Sequence, residues 1–289
     1  MSIKAICKLA AIGALAFAAS TSQAALEDSW NYKLELSWVP GTAVFDNVDK
    51  LGNPINTPGY PGGYTAEKYL LSWGAANGKY KGLGVDPNGG ANRSALEITT
   101  PIVSGKIDTN GSTVEANLFT HYNNPIWNVY PSLQKVDLSV SITLTSLDGF
   151  AKHEFSRVFE VFFIETENNG KKCSWTTSGL CDDDIFAIVS MAPTLDNFTN
   201  TFTLDGYEYT LNYFETTDFL NPLSVAACEA AGIKGRACYG FTTPESMATA
   251  VQFGFSITAV PEPETYAMLL AGLGMVGTVV RRRRNAIHN

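Results

Sequence analysis

The sequence of 289 residues predicts an all-β protein built as a single β-sandwich or jelly-roll-like domain. Three observations carry that expectation. Segments in which apolar and polar residues alternate recur along residues 25–259. Clusters of Gly, Pro, Asn and Asp punctuate them. Helical periodicity is nearly absent and there is no strand–helix–strand rhythm.

Residues 1–24 read as a secretory signal peptide. Lys4 and Lys8 form its positive region, 9–19 its apolar stretch, and Ser22-Gln23-Ala24 its small-residue cleavage site. Cleavage is expected between Ala24 and Ala25. The body then opens with a strand at 32–38, with Leu34, Leu36 and Trp38 on one face. Residues 40–65, carrying Pro40, Gly41, Pro58 and Pro61, read as a long surface loop. Strands follow at 69–73, 95–102 and 113–121, with a Gly/Asn-rich loop at 74–92. The clearest strand is 136–147, where Val136, Leu138, Val140, Ile142 and Leu144 alternate with polar residues. Further strands are expected at 155–166, 184–191, 198–204, 207–214 and 250–259. Asp205-Gly206 is a two-residue hairpin turn. The alanine-rich run 223–232 reads as one short helix with Gly232 as its C′ residue. No linker or internal repeat divides 25–259.

Residues 260–289 differ in kind. Pro261 and Pro263 fix φ and lack N–H groups, so no helix enters from upstream. Thr265 is a candidate N-cap. Residues 266–280 carry no charge and no polar face, and Arg281, Arg282, Arg283 and Arg284 follow. The glycines at 272, 274 and 277 and the arginine flank fit a single transmembrane helix with a cytoplasmic stop. Fifteen residues give roughly 22 Å, short of a hydrocarbon core of about 30 Å.

Of 20 basic and 28 acidic residues, the two ends hold 6 and 2. The body keeps 14 and 26, a formal charge of −12. Such a surface repels nucleic acid and anionic membrane, and there is no basic patch for phosphate. Cys7 belongs to the signal peptide. The other four cysteines fall into local pairs, Cys173 with Cys181 and Cys228 with Cys238, which suits disulfides in an oxidising compartment. A zinc site is the rival, but seven and nine intervening residues match no common spacing.

Histidine is scarce: His121, His153 and His288. His121 ends a strand, and it reads as a structural residue bonding the adjoining turn in preference to a catalytic one, since no serine elbow or metal-spaced partner accompanies it. No catalytic residue, metal ligand or cofactor is assigned. Asp182-Asp183-Asp184 could hold Ca²⁺, but it lacks alternating ligands and reads as a turn of solvated acids. Glu160, Glu165 and Glu167 have no partner that sequence can fix. Tyr60, Tyr64, Tyr80, Trp127 and Tyr130 lie in or near loops; Tyr60 and Trp127 are candidate glycan contacts.

The order Pro261-Glu262-Pro263, short apolar run and arginine cluster resembles the PEP-CTERM sorting signal of Gram-negative bacteria. The resemblance implies export through the Sec and signal-peptidase machinery. It also implies transient anchorage in the inner membrane, cleavage by an exosortase, and delivery to the surface or beyond in a cell making extracellular polysaccharide. Thr120-His121-Tyr122-Asn123 is similar to the motif naming the THxN family of PEP-CTERM proteins. Leu71-Ser72-Trp73-Gly74, the run 163–168, Cys173, Cys181 and Asp184-Ile185-Phe186 extend that resemblance over nearly the whole body. It carries no activity with it. Three functions are thus weighed: a non-enzymatic matrix protein first, a carbohydrate-binding module second, a secreted carboxylate-based hydrolase third.

Overall fold

A computed structural model describes residues 25–49, 51–53, 62–75, 93–126, 128–166, 172–173, 183–189 and 198–287. The chain divides into two compact units. One comprises Asp28–Thr201 and Thr210–Thr258; the other comprises Met1–Glu27, Phe202–Tyr209 and Ala259–Asn289.

The larger unit is built on two sheets packed as a sandwich. Its strands are β1 (Ser29–Phe45), β2 (Gly62–Ala66), β3 (Leu70–Ala75), β4 (Arg93–Ile98), β5 (Ile102–Asp108), β6 (Val114–Tyr122), β7 (Leu133–Ser146), β8 (Lys152–Ile164), β9 (Asp184–Val189), β10 (Phe198–Leu204), β11 (Tyr207–Glu215), β12 (Asn221–Pro222), β13 (Cys238–Thr243) and β14 (Ala248–Pro261). The last turns of β10, the start of β11 and the end of β14 lie in the smaller unit. The sheet orders are β12-β13-β9-β8-β7-β1-β5 and β10-β11-β14-β6-β4-β3-β2.

Alternation dictates the core. Val136, Leu138, Val140, Ile142 and Leu144 of β7 are buried, as are Leu34, Leu36 and Trp38 of β1. Antiparallel pairing sets Leu36 opposite Val140 and Trp38 opposite Leu138, so one face of each strand turns inward together. Aromatic rings join the layers. Trp38 meets Phe119 edge-on at 6.0 Å, Tyr32 meets Phe255 at 4.6 Å, and Phe119 lies 5.2 Å from Phe186.

β9 shows no alternation, because both its faces are covered. Helix α1 (Val225–Ala230) lies over Ile185, Ala187 and Val189. Ser224 caps the helix by accepting from the Ala227 N–H at 3.2 Å. Gly232, with φ +88°, follows the C-cap Ala231. A disulfide joins Cys228 of α1 to Cys238 at the start of β13. Gly240 lets β13 approach β9: a Cβ there would stand 1.9 Å from the Phe186 carbonyl oxygen.

Several expectations need correction. β1 is 17 residues long and runs through Pro40 and Gly41, which sequence placed in a loop. Its pairing with β7 is irregular between Val39 and Val44, the kind of bulge where proline is tolerated in a strand. β2 lies within the same expected loop. The expected strand 95–102 is two strands, β4 and β5, and the polar run IVSGKID of β5 pairs along β1. β13 was not expected as a strand at all.

In the smaller unit, Asp205 and Gly206 adopt φ +49° and +71°, the left-handed pair that a tight hairpin requires. β14 continues past the expected 259 to Pro261. Helix α2 (Pro263–Ile287) starts with proline as its first residue, where a missing N–H costs nothing, so Thr265 lies inside the helix and not at its cap. Among the described residues no helix is long and apolar enough to cross a membrane. The expected span 266–280 therefore does not stand: the apolar stretch is about 22 Å long by helical rise, and the residues extending the helix are polar and arginine-rich.

Candidate functional site

One end of the sandwich is filled with polar side chains. Registers gather the strand termini there. Tyr122, the last residue of β6, faces Ala248 at the start of β14 and Ala95 near the start of β4. Ile164 at the end of β8 faces Ile185, and Thr243 at the end of β13 faces Asp184. Trp73, Ser94, His121, Asn123, Asn124, Glu165, Asp184, Thr243 and Thr249 come together from these ends.

His121 and Asp184 have no exposed surface. The His121 Nδ1 stands 2.8 Å from Thr243 Oγ1. That hydroxyl also lies 2.9 Å from Thr249 Oγ1, so Nδ1, Thr243 and Thr249 form one hydrogen-bonded chain. Nε2 stands 3.7 Å from Asp184 Oδ2. Among the described residues neither atom has a hydrogen-bond partner. Burial depresses the His121 pKa to about 3, so the ring is neutral and supplies no positive charge.

The Glu165 carboxyl accepts from Trp73 Nε1–H at 2.7 Å and from Ser94 Oγ at 3.4 Å. Asp184 Oδ1 accepts from the Thr166 N–H at 2.9 Å. Burial raises the Glu165 pKa to about 8, against the lowering effect of the Trp73 bond. Burial, and then the charge of Glu165, pushes Asp184 well above the carboxylate range. Glu245, in the turn before β14, raises both further. Two rings complete the enclosure: Trp73 lies parallel to His121 at 6.3 Å, and Phe163 meets His121 edge-on at 4.9 Å. Asn123 donates to the Thr243 carbonyl at 2.9 Å and Asn124 to the Arg93 carbonyl at 2.7 Å.

The motif residues that sequence could only place in order thus converge. Trp73, His121, Asn123, Glu165 and Asp184 share one cluster. His121 is tied to Thr243, 122 residues away, and not to its adjoining turn. Asp183 and Asp184 are not solvated as expected: both are buried, because Asp184 begins β9 inside the sandwich. Glu165 is held by Trp73 and Ser94, whereas Glu160 pairs at the surface with Lys135. No group of three His, Cys, Asp or Glu among the described residues is arranged to hold a metal ion. Tyr64 stacks on Phe45 at 4.3 Å as packing. Ala24, Tyr60, Tyr80, Trp127, Cys181, Asp182 and Glu167 lie outside the described residues; Cys173 is disulfide-bonded. Sequence reasoning missed Thr243 and Glu245, and no local pattern marks either.

At the other extreme of the chain, Glu262 N–H donates to the Gly206 carbonyl at 2.9 Å, so the Pro-Glu-Pro run is tied to the tip of the β10–β11 hairpin. Fold and tail together define an exported β-sandwich protein with a C-terminal sorting tag. Residues 259–284 match the family model of the PEP-CTERM protein-sorting motif, so the chain carries the kind of tag by which an exosortase sorts exported proteins. No curated protein and no solved structure matches it.

Proposed function

We propose that this PEP-CTERM protein is a non-enzymatic component of the extracellular polysaccharide matrix, its sandwich being of the THxN type. The observation that carries this reading is the sorting motif at 259–284, which begins in the last residues of β14. Two further features support it. The acidic body stays soluble among polysaccharide and avoids nucleic acid. The carboxyls of Glu165 and Asp184 lie within hydrogen-bonded surroundings where His121 and Asp184 have no exposed surface, which is unsuited to meeting a glycan chain.

Replacing Pro261, Glu262 and Pro263 by alanine should leave an unprocessed, cell-retained form, while the wild type is recovered with the matrix polysaccharide and with a trimmed C-terminus by mass spectrometry. Unchanged trimming in the variant sinks the sorting half of the proposal. Wild-type protein that is trimmed but washes freely from the matrix sinks the other half.

A further inference from the structure

We propose that the β10–β11 hairpin is a clasp on the sorting tag: its tip holds the one backbone donor of Pro261-Glu262-Pro263 and withholds that run from the enzyme that trims it until the tip lets go. The identity of that enzyme rests on the exosortase reading; the clasp itself does not.

The chemistry of the tripeptide makes the contact count. Neither proline has a backbone N–H, so Glu262 supplies the only amide donor in the three residues. That donor is given to the Gly206 carbonyl at 2.9 Å. Gly206 belongs to the two-residue turn between β10 and β11 and to neither strand, which leaves its carbonyl free to accept from outside the hairpin. Just before it, Pro261 is the last residue of β14, the strand that neighbours β11 in the sheet. The start of the motif is thus held as one more piece of sheet.

The hairpin is built to hold a fixed position. Asp205 and Gly206 take φ +49° and +71°, the left-handed pair of a tight turn. Behind the turn, Phe202 stacks on Tyr209 with ring centres 5.1 Å apart. Tyr209 is fully buried, and its hydroxyl accepts from the Glu27 N–H at 2.8 Å. The segment that follows the signal-cleavage site and the segment that carries the sorting motif are therefore tied to the same hairpin.

Side chains and backbone of the tag are treated differently. Val260 is exposed, and Pro261 and Glu262 are half-buried. A partner can meet these side chains while the main chain stays paired. An enzyme that takes an extended peptide binds it through main-chain N–H and C=O groups, as an added strand does. It must compete with Gly206 for the Glu262 amide, because the tripeptide offers no second donor. Recognition can precede cutting, and the hairpin tip sets the interval between them.

The test uses the full chain with its tail, purified in detergent from cells that lack an exosortase, and two variants outside the tag. Gly206→Val puts a β-branched residue into the left-handed turn, and Asp205→Asn gives the Asn-Gly pair that this turn favours. In the wild type the Glu262 amide should exchange its hydrogen at least about tenfold more slowly than an unstructured amide. Gly206→Val should remove most of that protection, roughly tenfold, while β7 keeps its own. In pulse-chase in the exporting strain, Gly206→Val should lose its tail about twofold or more faster than the wild type, and Asp205→Asn more slowly. An unprotected Glu262 amide in the wild type overturns the proposal. So does trimming of Gly206→Val at or below the wild-type rate with β7 intact. If Gly206→Val loses protection in β7 as well, Asp205→Asn decides, and trimming as fast as the wild type or faster overturns the proposal. Absence of trimming in all three proteins refutes the exosortase reading and the gating with it, whereas the exchange of Glu262 still decides whether the hairpin holds the tag.

Discussion

Phe119 and His121 stand two residues apart on one face of β6, and both are entirely buried. Around Phe119 the sandwich is an aromatic stack with Trp38, Phe186 and Phe241. Around His121 the same interior holds a neutral imidazole, two carboxyls and two asparagines. The first region needs only volume and apolarity, because burial is favourable whatever the exact partner. The second is stable only if each donor meets an acceptor, since an unpaired buried polar group costs about 1–3 kcal/mol. Neighbouring positions on one strand thus obey different rules. The middle demands shape; the end demands partners.

The widest test of that contrast is Phe119→Ala. It should destabilise the sandwich by about 3–5 kcal/mol in urea unfolding, by the same amount at pH 6 and pH 9. A strongly pH-dependent loss would mean that the two regions are not energetically separate. Trp73→Phe keeps a ring but removes the Nε1–H given to Glu165 Oε2. Its expected cost is about 1.5–3 kcal/mol, larger at pH 9 than at pH 6, because the donor favours the ionised form of Glu165. A greater loss at pH 6 would reverse the assignment of that bond. Least of all, Lys135→Ala breaks a pair with Glu160 at 2.5 Å on the solvent side, and a change below about 1 kcal/mol is expected. A surface pair worth more than the Trp73 bond would undo the ranking.

The same two regions differ in how far sequence discloses them. Period-two alternation along β7, the Asp205-Gly206 turn, the Gly232 helix end and the Cys228–Cys238 pairing are local patterns, and the fold displays them all. β5 escaped notice because it is an edge strand with mostly exposed residues and little alternation. β1 was cut short because Pro40 signals a loop unless a bulge accommodates it. The polar end was opaque for a different reason. Its bonds join residues 92 apart for Trp73 and Glu165, and 122 apart for His121 and Thr243. A buried Asp184 and a solvated one look alike in a string of three aspartates; only the pairing of β9 with β8 and β13 decides between them.

β14 stops at Pro261 and α2 starts at Pro263, leaving Glu262 alone between them, with its N–H already given to Gly206. The tag therefore has almost no slack. An enzyme that cuts near the prolines needs a few residues of extended, unpaired backbone in its cleft. Upstream, those residues must be freed from the end of β14, a strand inside its sheet; downstream, they must be unwound from a helix. Clearance from β14 and α2 is thus a condition of cutting near the prolines, beside recognition of them.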